Sequence, residues 1–305
     1  MRLHLPLLAA IVGIGCSSED RPPPIQRTLA AGQWHACLLA ELGTISCWGC
    51  LKGSTVDYGQ CDPPPLTFHS IAAGSFISCG LDDSGRIHCW GMSDEGLGLV
   101  PDGVYTEVEA GSRHACAVDI DGAVSCWGRN TDGQADPPTD WLQQVQPGFR
   151  HTCALGADDH AICWGCEENC DDDEVDPPGE TFVQISASQQ HACGLTDTGD
   201  VVCWGDDWYG KTDAPAGRFM QVAAGSKHSC ALDEDGRPVC WGCGGAEGVD
   251  YDHGQCDAPD VELTQIVTGY QQTCGLDRDG KVICWGCELE IQDVGQCDPP
   301  EWLQP

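Results

Sequence analysis

Seven times along 305 residues the pattern H-x-C-x-L, a short Asp/Gly turn and then C-W-G returns, with ten residues from one cysteine to the next. The pairs are Cys37/Cys47, Cys79/Cys89, Cys116/Cys126, Cys153/Cys163, Cys193/Cys203, Cys230/Cys240 and Cys274/Cys284, and they recur every 37 to 44 residues. A unit of that size cannot bury its apolar faces alone and does so against its neighbours, so repetition at this period on β-type segments specifies a radial array. The expected fold class is all-β: a seven-bladed β-propeller with disulfide-stapled blades, one domain over residues 25–305.

Repeat six shows the local logic. Met220–Gly225, His228–Asp233 and Pro238–Gly242 are short alternating runs, and Glu234-Asp235-Gly236 between the last two is a turn signal. Such runs read as strands, the last two joined by a tight hairpin. Cys230 and Cys240 lie symmetrically about that turn and face each other across the ladder, where opposed Cβ atoms approach to about 4.5–5.5 Å. The residue after the first cysteine is small in six repeats (Gly80, Ala117, Ala154, Gly194, Ala231, Gly275; Leu38 in the first), and Trp follows the second cysteine in all seven. Packing residues on both faces suit a sheet covered on each side.

Eight further cysteines occur two at a time, as Cys50/Cys61, Cys166/Cys170, Cys243/Cys256 and Cys287/Cys297. The third-cysteine position holds Met92, Arg129 and Asp206 in the other repeats. A repeat with two cysteines has one local pairing, so the equivalent pair should form everywhere and the added two should bridge each other. Zinc would want four ligands, and three repeats have no spare cysteine. All 22 cysteines of this set are therefore expected in disulfides, which places the chain in an oxidising compartment.

Forty-eight acidic residues against 14 basic ones give a formal charge of −34, which repels phosphate backbones and excludes nucleic acid as a partner. His35, His114, His151, His191 and His228 precede the first cysteine by two residues, with Ile77 and Gln272 in the remaining repeats. Equivalent points on seven blades are too far apart to ligate one ion, so these histidines read as structural groups bonding backbone within their own blades. No metal and no cofactor is expected. Asp-x-Asp-Gly at Asp119–Gly122 and Asp277–Gly280 reads as a hairpin turn, lacking calcium-loop spacing. The run Asp171, Asp172, Asp173, Glu174 with Asp176 is the weak calcium candidate, set against a solvated loop.

One column is informative because it varies. Between the near-constant Gly and the His lie Gln33-Trp34, Ser75-Phe76, Ser112-Arg113, Phe149-Arg150, Gln189-Gln190, Ser226-Lys227 and Tyr270-Gln271. Equivalent loops fall on one face of a propeller, and aromatic and arginine side chains are the usual anchors of interfaces. Trp34, Phe76, Arg113, Phe149, Arg150, Lys227 and Tyr270 are thus the expected protein-binding patch, the alternative being that they cover blade edges. Tyr58, Trp208, Tyr209 and Tyr251, after the Trp-Gly of their repeats, would form a second rim. No catalytic constellation stands apart from the scaffold, so no enzyme is expected.

The consensus A-G-x-x-H-x-C-A-L-x-x-D-G-x-V-x-C-W-G-x-x-x-x-G-Q resembles the regulator of chromosome condensation repeat, a family of seven-bladed propellers. The short repeats are most similar in style to those of the propeller-type β-lactamase inhibitory proteins. The variable loop face points to a scaffold that binds another protein; the resemblance adds an inhibitor of a secreted or periplasmic enzyme such as a β-lactamase as one alternative, and the acidic loops leave a carbohydrate- or calcium-binding surface protein as another. Asp298-Pro-Pro-Glu-Trp-Leu-Gln matches the start of a repeat that Arg27–Gly32 would complete, so the two ends should close the ring.

Met1-Arg2 and the apolar run Leu3–Ile14 have the form of a secretory signal too short to span a bilayer. Gly13-Ile14-Gly15-Cys16 resembles a bacterial lipoprotein processing site, with Gly13 where leucine is usual; an ordinary signal peptide cut elsewhere is the alternative. The expected organisation is a signal over 1–15, lipidation at Cys16 and a lipidated tether over 16–24. A monomer anchored by its lipid in the outer membrane of a bacterial cell envelope, facing either the periplasm or the exterior and binding another protein, is the reading that follows.

Overall fold

The computed structural model describes residues 27–50, 53–166, 175–244, 253–287 and 295–303. The expected signal, Cys16 and tether lie outside these, as do Asp171–Glu174, Tyr251 and Cys170. Among the described residues no helix is long and apolar enough to cross a membrane.

Seven three-stranded antiparallel sheets form in sequence order, each a simple meander. They are β1 Thr28–Ala31, β2 Ala36–Leu39, β3 Ile45–Trp48; β4 Phe68–Ala73, β5 Ile77–Asp82, β6 Ile87–Gly91; β7 Tyr105–Ala110, β8 His114–Asp119, β9 Val124–Gly128; β10 Leu142–Pro147, β11 His151–Gly156, β12 Ala161–Gly165; β13 Gln184–Ala187, β14 His191–Leu195, β15 Val201–Gly205; β16 Phe219–Ala224, β17 Ser229–Asp233, β18 Pro238–Trp241; and β19 Leu263–Thr268, β20 Thr273–Asp277, β21 Val282–Trp285. The first strand of every blade touches that of the next, and β19 touches β1, which closes the ring.

The hairpins are set by Asp and Gly. In blade six the Asp233 carboxylate accepts from the N–H groups of Asp235 and Arg237, and Gly236 takes φ +81°. Asp119 and Asp277 do the same in their turns, so the Asp-x-Asp-Gly segments are hairpins as read. The turn fixes the register, and Cys230 lies opposite Cys240.

All seven hairpin pairs are disulfides: Cys37–Cys47, Cys79–Cys89, Cys116–Cys126, Cys153–Cys163, Cys193–Cys203, Cys230–Cys240 and Cys274–Cys284. The two ends of each bridge differ in a way that their symmetric placement about the turn does not suggest. The first cysteine, on the middle strand, is fully buried in every blade. Its partner on the outer strand is only half-buried: Cys47, Cys89, Cys126, Cys163, Cys203, Cys240 and Cys284 all keep some contact with solvent. The reason is topological, since the middle strand is flanked on both sides and the outer strand on one. Cys50–Cys61, Cys243–Cys256 and Cys287–Cys297 are disulfides too. Cys166 is also disulfide-bonded.

Replacing Cys79 and Cys89 together by alanine should lower stability by about 2–3 kcal/mol, the loop-closure entropy that a bridge over ten residues removes from the unfolded chain. A urea titration reads it; an unchanged midpoint would show that the hairpin does not need its bridge.

There is no common centre to the core. Buried residues form seven wedges, each between adjacent blades. In the wedge between blades one and two, Cys37 and Leu39 pack on Phe68 and Ile71. The small residue after the first cysteine makes room for a large apolar residue at or just before the start of the inner strand: a Cβ on Gly194 would sit 2.3 Å from the Phe182 ring, and one on Gly275 2.4 Å from Leu263. The closing wedge joins Leu29, Leu38 and Trp48 to Cys274, Leu276 and Leu303. Arg27 donates to the carbonyls of Gly280 and Leu303 there, so both ends of the described chain meet as the repeat phasing expected.

Two side-chain ladders stitch the blades. On the inner strands, glutamine amides imitate a peptide group: Gln265 accepts from Leu29 N–H at 2.8 Å and donates to Leu29 O at 3.0 Å. Gln221 does this to Ile266, and Gln184 to Val222. Farther out, the tryptophan after the second cysteine donates its indole N–H to a carbonyl of the preceding connection: Trp48 to Gln296, Trp90 to Gln60, Trp127 to Leu97, Trp164 to Gln134, Trp241 to Lys211 and Trp285 to Gln255.

Candidate protein-binding face

A three-stranded meander returns the chain to one end of the sheet twice, once between strands one and two and once after strand three. The variable column occupies the first connection and the segment after Trp-Gly the second, so both lie on one face. The two rims expected from the sequence are a single rim. Tyr58 meets Phe76 with ring centroids 5.3 Å apart, and Lys227 sits over the rings of Tyr209 at 5.3 Å and Tyr270 at 5.6 Å.

Beneath the rim, the near-constant glycines close the channel mouth. A Cβ on Gly32 would lie 1.9 Å from Gly74 O, and one on Gly74 2.2 Å from Gly111 O, so no other residue fits these backbones. Peptide N–H groups run around this ring: Gln33 donates to Gly74, Ser75 to Gly111, Ser112 to Gly148 and Ser226 to Gly269. The rim residues therefore stand on a rigid base.

The histidines lie just below, and their partners differ from the sequence expectation. Four of them bond the next blade: His35 Nε2 meets Ser78 Oγ at 2.8 Å, His114 Thr152, His191 Ser229 and His228 Thr273, and His191 alone of these four also meets a hydroxyl of its own blade, Ser188 Oγ, through Nδ1. Ser78, Thr152 and Ser229 pass their own protons to the carbonyls of Gln60, Gln134 and Lys211, which also accept the tryptophan indoles. Each hydroxyl must then accept from Nε2–H, and in His35, His114 and His228 the buried Nδ1 has no partner. Burial holds these rings neutral, lowering their pKa to about 4 for His35, about 3 for His114 and about 4 for His228. A second proton would have nowhere to go. The His column clamps blades together; among the described residues no group of His, Cys, Asp or Glu could hold a metal ion.

The rim has two sectors. From blade five round to blade one runs an aromatic arc: Trp208 against Tyr209, Lys227 over Tyr209 and Tyr270, and Tyr270 against Trp34 at 5.5 Å. In blades three and four the Arg129 and Arg150 guanidinium groups lie 5.7 and 5.6 Å from the Phe149 ring centre, and Arg113 bonds Glu95 at 2.7 Å. All seven column residues expected to bind are half-buried. They cover blade seams and keep an outward surface.

The pairing across seams was missed in the sequence. The residue before the Gly of each connection meets the column residue of the next blade, as Tyr58 meets Phe76, Glu95 meets Arg113 and Tyr209 meets Lys227. Comparing each repeat with the next, and not only with its equivalents, would have shown ring against ring and acid against base.

A closed wheel of seven disulfide-stapled blades, level on one face and variable in that face's side chains, is a β-propeller scaffold. Its units are regulator of chromosome condensation (RCC1) repeats: that family model matches residues 68–97, 105–134, 182–210, 221–248 and 263–292, and the chain is an RCC1-like seven-bladed propeller. Compared by sequence, no curated protein matches it. Among solved structures it is similar to the entire ectodomain of the receptor kinase CR4 of Physcomitrella patens (26% identity, 85% of this chain and 72% of that one, TM-score 0.69). It is also similar to the CRINKLY WD40 ectodomain of the receptor kinase ACR4 of Arabidopsis thaliana (24% identity, 85% and 94%, TM-score 0.66). Prp20p of Saccharomyces cerevisiae, a protein studied for binding Gsp1p and histones, shares the fold (19% identity, 88% and 84%, TM-score 0.64).

Proposed function

We propose that this chain is an extracytoplasmic propeller, held at the outer membrane of a bacterial cell by a lipid on Cys16, that binds another protein through its rim. The observation carrying the reading is the contiguous arc Trp208–Tyr209–Lys227–Tyr270–Trp34, built from four successive blades on a rigid glycine ring. Aromatic side chains with an interleaved cation give large contact area at low entropic cost, the composition of an interface hot spot. The disulfides of all seven blades support an oxidising, extracytoplasmic setting, and two of the similar structures are receptor ectodomains. The scaffold reading is non-enzymatic. Inhibition of a secreted hydrolase, a β-lactamase included, would be one form of such binding.

Photo-crosslinking tests it. A benzophenone amino acid at Tyr270 or Phe76 should capture the same discrete partner in the protein's own cells. The same group at Leu42 or Ile120, 83% and 80% exposed in the opposite hairpin turns, should not. Capture from the turns alone, or from neither face, would remove the rim from the reading.

A further inference from the structure

We propose that the central channel is a binding site for a free primary alkylammonium ion, which enters from the hairpin-turn face and is held by the Glu109 carboxylate. The inference stands apart from the rim, because the glycine ring separates the two. Inside that ring the inner strands enclose a cavity of about 340 Å³. It shares Thr28, Gln221 and Gln265 with a second cavity of about 790 Å³, which Asp277 and Asp279 also line on the hairpin-turn side and which gives it an entrance.

The inner cavity is one-sided. Glu109, Gln146 and Ser186, of blades three to five, each lie opposite the first cysteine of their blade and line it together. At the same register, blades six, seven and one present Ala223, Val267 and Ala30. A polar arc thus faces an apolar one across the ring. Ser186 shows how the polar position is satisfied: its hydroxyl accepts from Ala224 N–H of the next blade at 3.0 Å. The residue in that place beside Glu109 is Pro147, which has no N–H to give. Burial and the neighbouring Glu107 are what act on the Glu109 carboxyl, with no hydrogen bond among the described residues to offset them. A cation is the partner it lacks.

An ammonium group brings three donors on a compact charge, and its alkyl stem is apolar. The donors suit the Glu109 carboxylate, the Gln146 amide oxygen and the Ser186 hydroxyl; the stem suits Ala223 and Val267. A divalent ion wants about six oxygens around one point, and no group of side chains among the described residues could hold one. Carboxylates in all seven hairpin turns, from Glu41 to Asp279, draw cations to the entrance. Glu109 lies four residues beyond Tyr105, where its strand begins, roughly 13 Å at about 3.3 Å per residue. A lysine side chain on a backbone outside the mouth does not reach so far, so the fitting ligand is a free amine.

In the empty channel Glu109 keeps its proton to about pH 8. Binding releases that proton to solvent, so affinity should rise about tenfold per pH unit towards 8 and then level off. The other titratable groups on strands packed against β7 are His69 of β4, Asp82 of β5, and His114 and Asp119 of β8; none lines the cavity, and β10 has none.

Calorimetric titration of the oxidised full-length protein with n-butylamine at pH 8 tests this. One saturable site is expected, weakened about tenfold or more in Glu109→Gln with the melting temperature retained. Glu109→Ser, the residue blade five uses, serves should Glu109→Gln fold poorly. Near pH 6.5, titrations in buffers of different ionisation heat should report about one proton released per amine. Tetramethylammonium, which has no N–H, and a lysine-bearing tetrapeptide should both bind far more weakly. No saturable site, an affinity unmoved by Glu109→Gln or by pH, equal binding of either control, or displacement by equimolar calcium each overturns the proposal. None of these results bears on capture from Tyr270 or Phe76, so the rim reading stands or falls separately.

Discussion

Lys211→Met is expected to cost about 3–5 kcal/mol and to be the most damaging conservative change in the propeller, because it leaves a buried carboxylate without its cation. Lys211 is 1% exposed and its Nζ lies 2.6 Å from Asp206 Oδ2; Asp206 is 8% exposed and accepts one other hydrogen bond, from Trp208 N–H. The pair stands where other blades have a disulfide. Asp206, like Met92, Arg129 and Cys166, donates its backbone N–H to the column residue of its own blade, so all four occupy one structural position. At that position the chain secures its loop in three ways: a disulfide from Cys50, Cys243 and Cys287, apolar packing of Met92 near Leu97, and ion pairs from Arg129 and Asp206.

Urea unfolding of three variants reads the energetics. Lys211→Met alone should be worse than Lys211→Met with Asp206→Asn, which removes the orphaned charge; if the double variant lost the sum of the singles, the ion pair would not be the cause. The third variant writes the disulfide in. Asp206→Cys, Lys211→Gln and Thr212→Cys reproduce the arrangement of Cys50, Gln60 and Cys61, and should recover the stability lost in Lys211→Met.

These substitutions were partly visible in the chain. Seven internal copies gave the strands, the turns and the pairing of cysteines, because what one repeat left open its neighbours resolved: blades two, three and five, with two cysteines each, decided the pairing for the rest. The roles of side chains acting between repeats were harder to see. Four of the five histidines are followed in the next repeat by a hydroxyl residue next to its cysteine, His35 by Ser78, His114 by Thr152, His191 by Ser229 and His228 by Thr273, while Ile77 and Gln272 face repeats with alanine there. Aligning repeats on one another hides that offset relation. The rim failed to show as one surface for a related reason: whether two loops share a face depends on the number of strands between them, and three strands per blade bring the segment after Trp-Gly back to the column. The unequal burial of the bridged cysteines, Cys37 against Cys47 or Cys274 against Cys284, follows from the same count, because only a third strand makes one hairpin strand central and the other an edge.

The second large effect lies in the inner ladder and depends on pH. Where blades five, six and seven use Gln184, Gln221 and Gln265 to bridge to the next inner strand, blade three has Glu107, which accepts from Gln144 N–H at 3.1 Å. An ionised carboxylate cannot return a donor, and burial raises the Glu107 pKa to about 7 against two backbone N–H groups that lower it. Glu109, two residues on along the channel wall, is raised to about 8 by burial and by Glu107. Both hold a proton in the folded state that the unfolded chain releases above about 4.5, so their contribution is present at low pH and is lost as pH climbs through 7 and 8. The buried histidines act in the opposite sense: the unfolded chain takes up protons below 6.5 and the folded one does not until about 4 or lower, so stability falls as pH drops through that interval. Stability should peak near neutrality. Glu107→Gln restores the donor and removes the charge, so it should match the parent near pH 5 and exceed it by roughly 1–3 kcal/mol at pH 8.5, one pKa displacement of a single unit being worth about 1.4 kcal/mol. Urea midpoints at the two pH values measure this. A difference that did not grow with pH would mean that Glu107 is ionised in the folded ring and that the ladder between blades three and four closes without its proton.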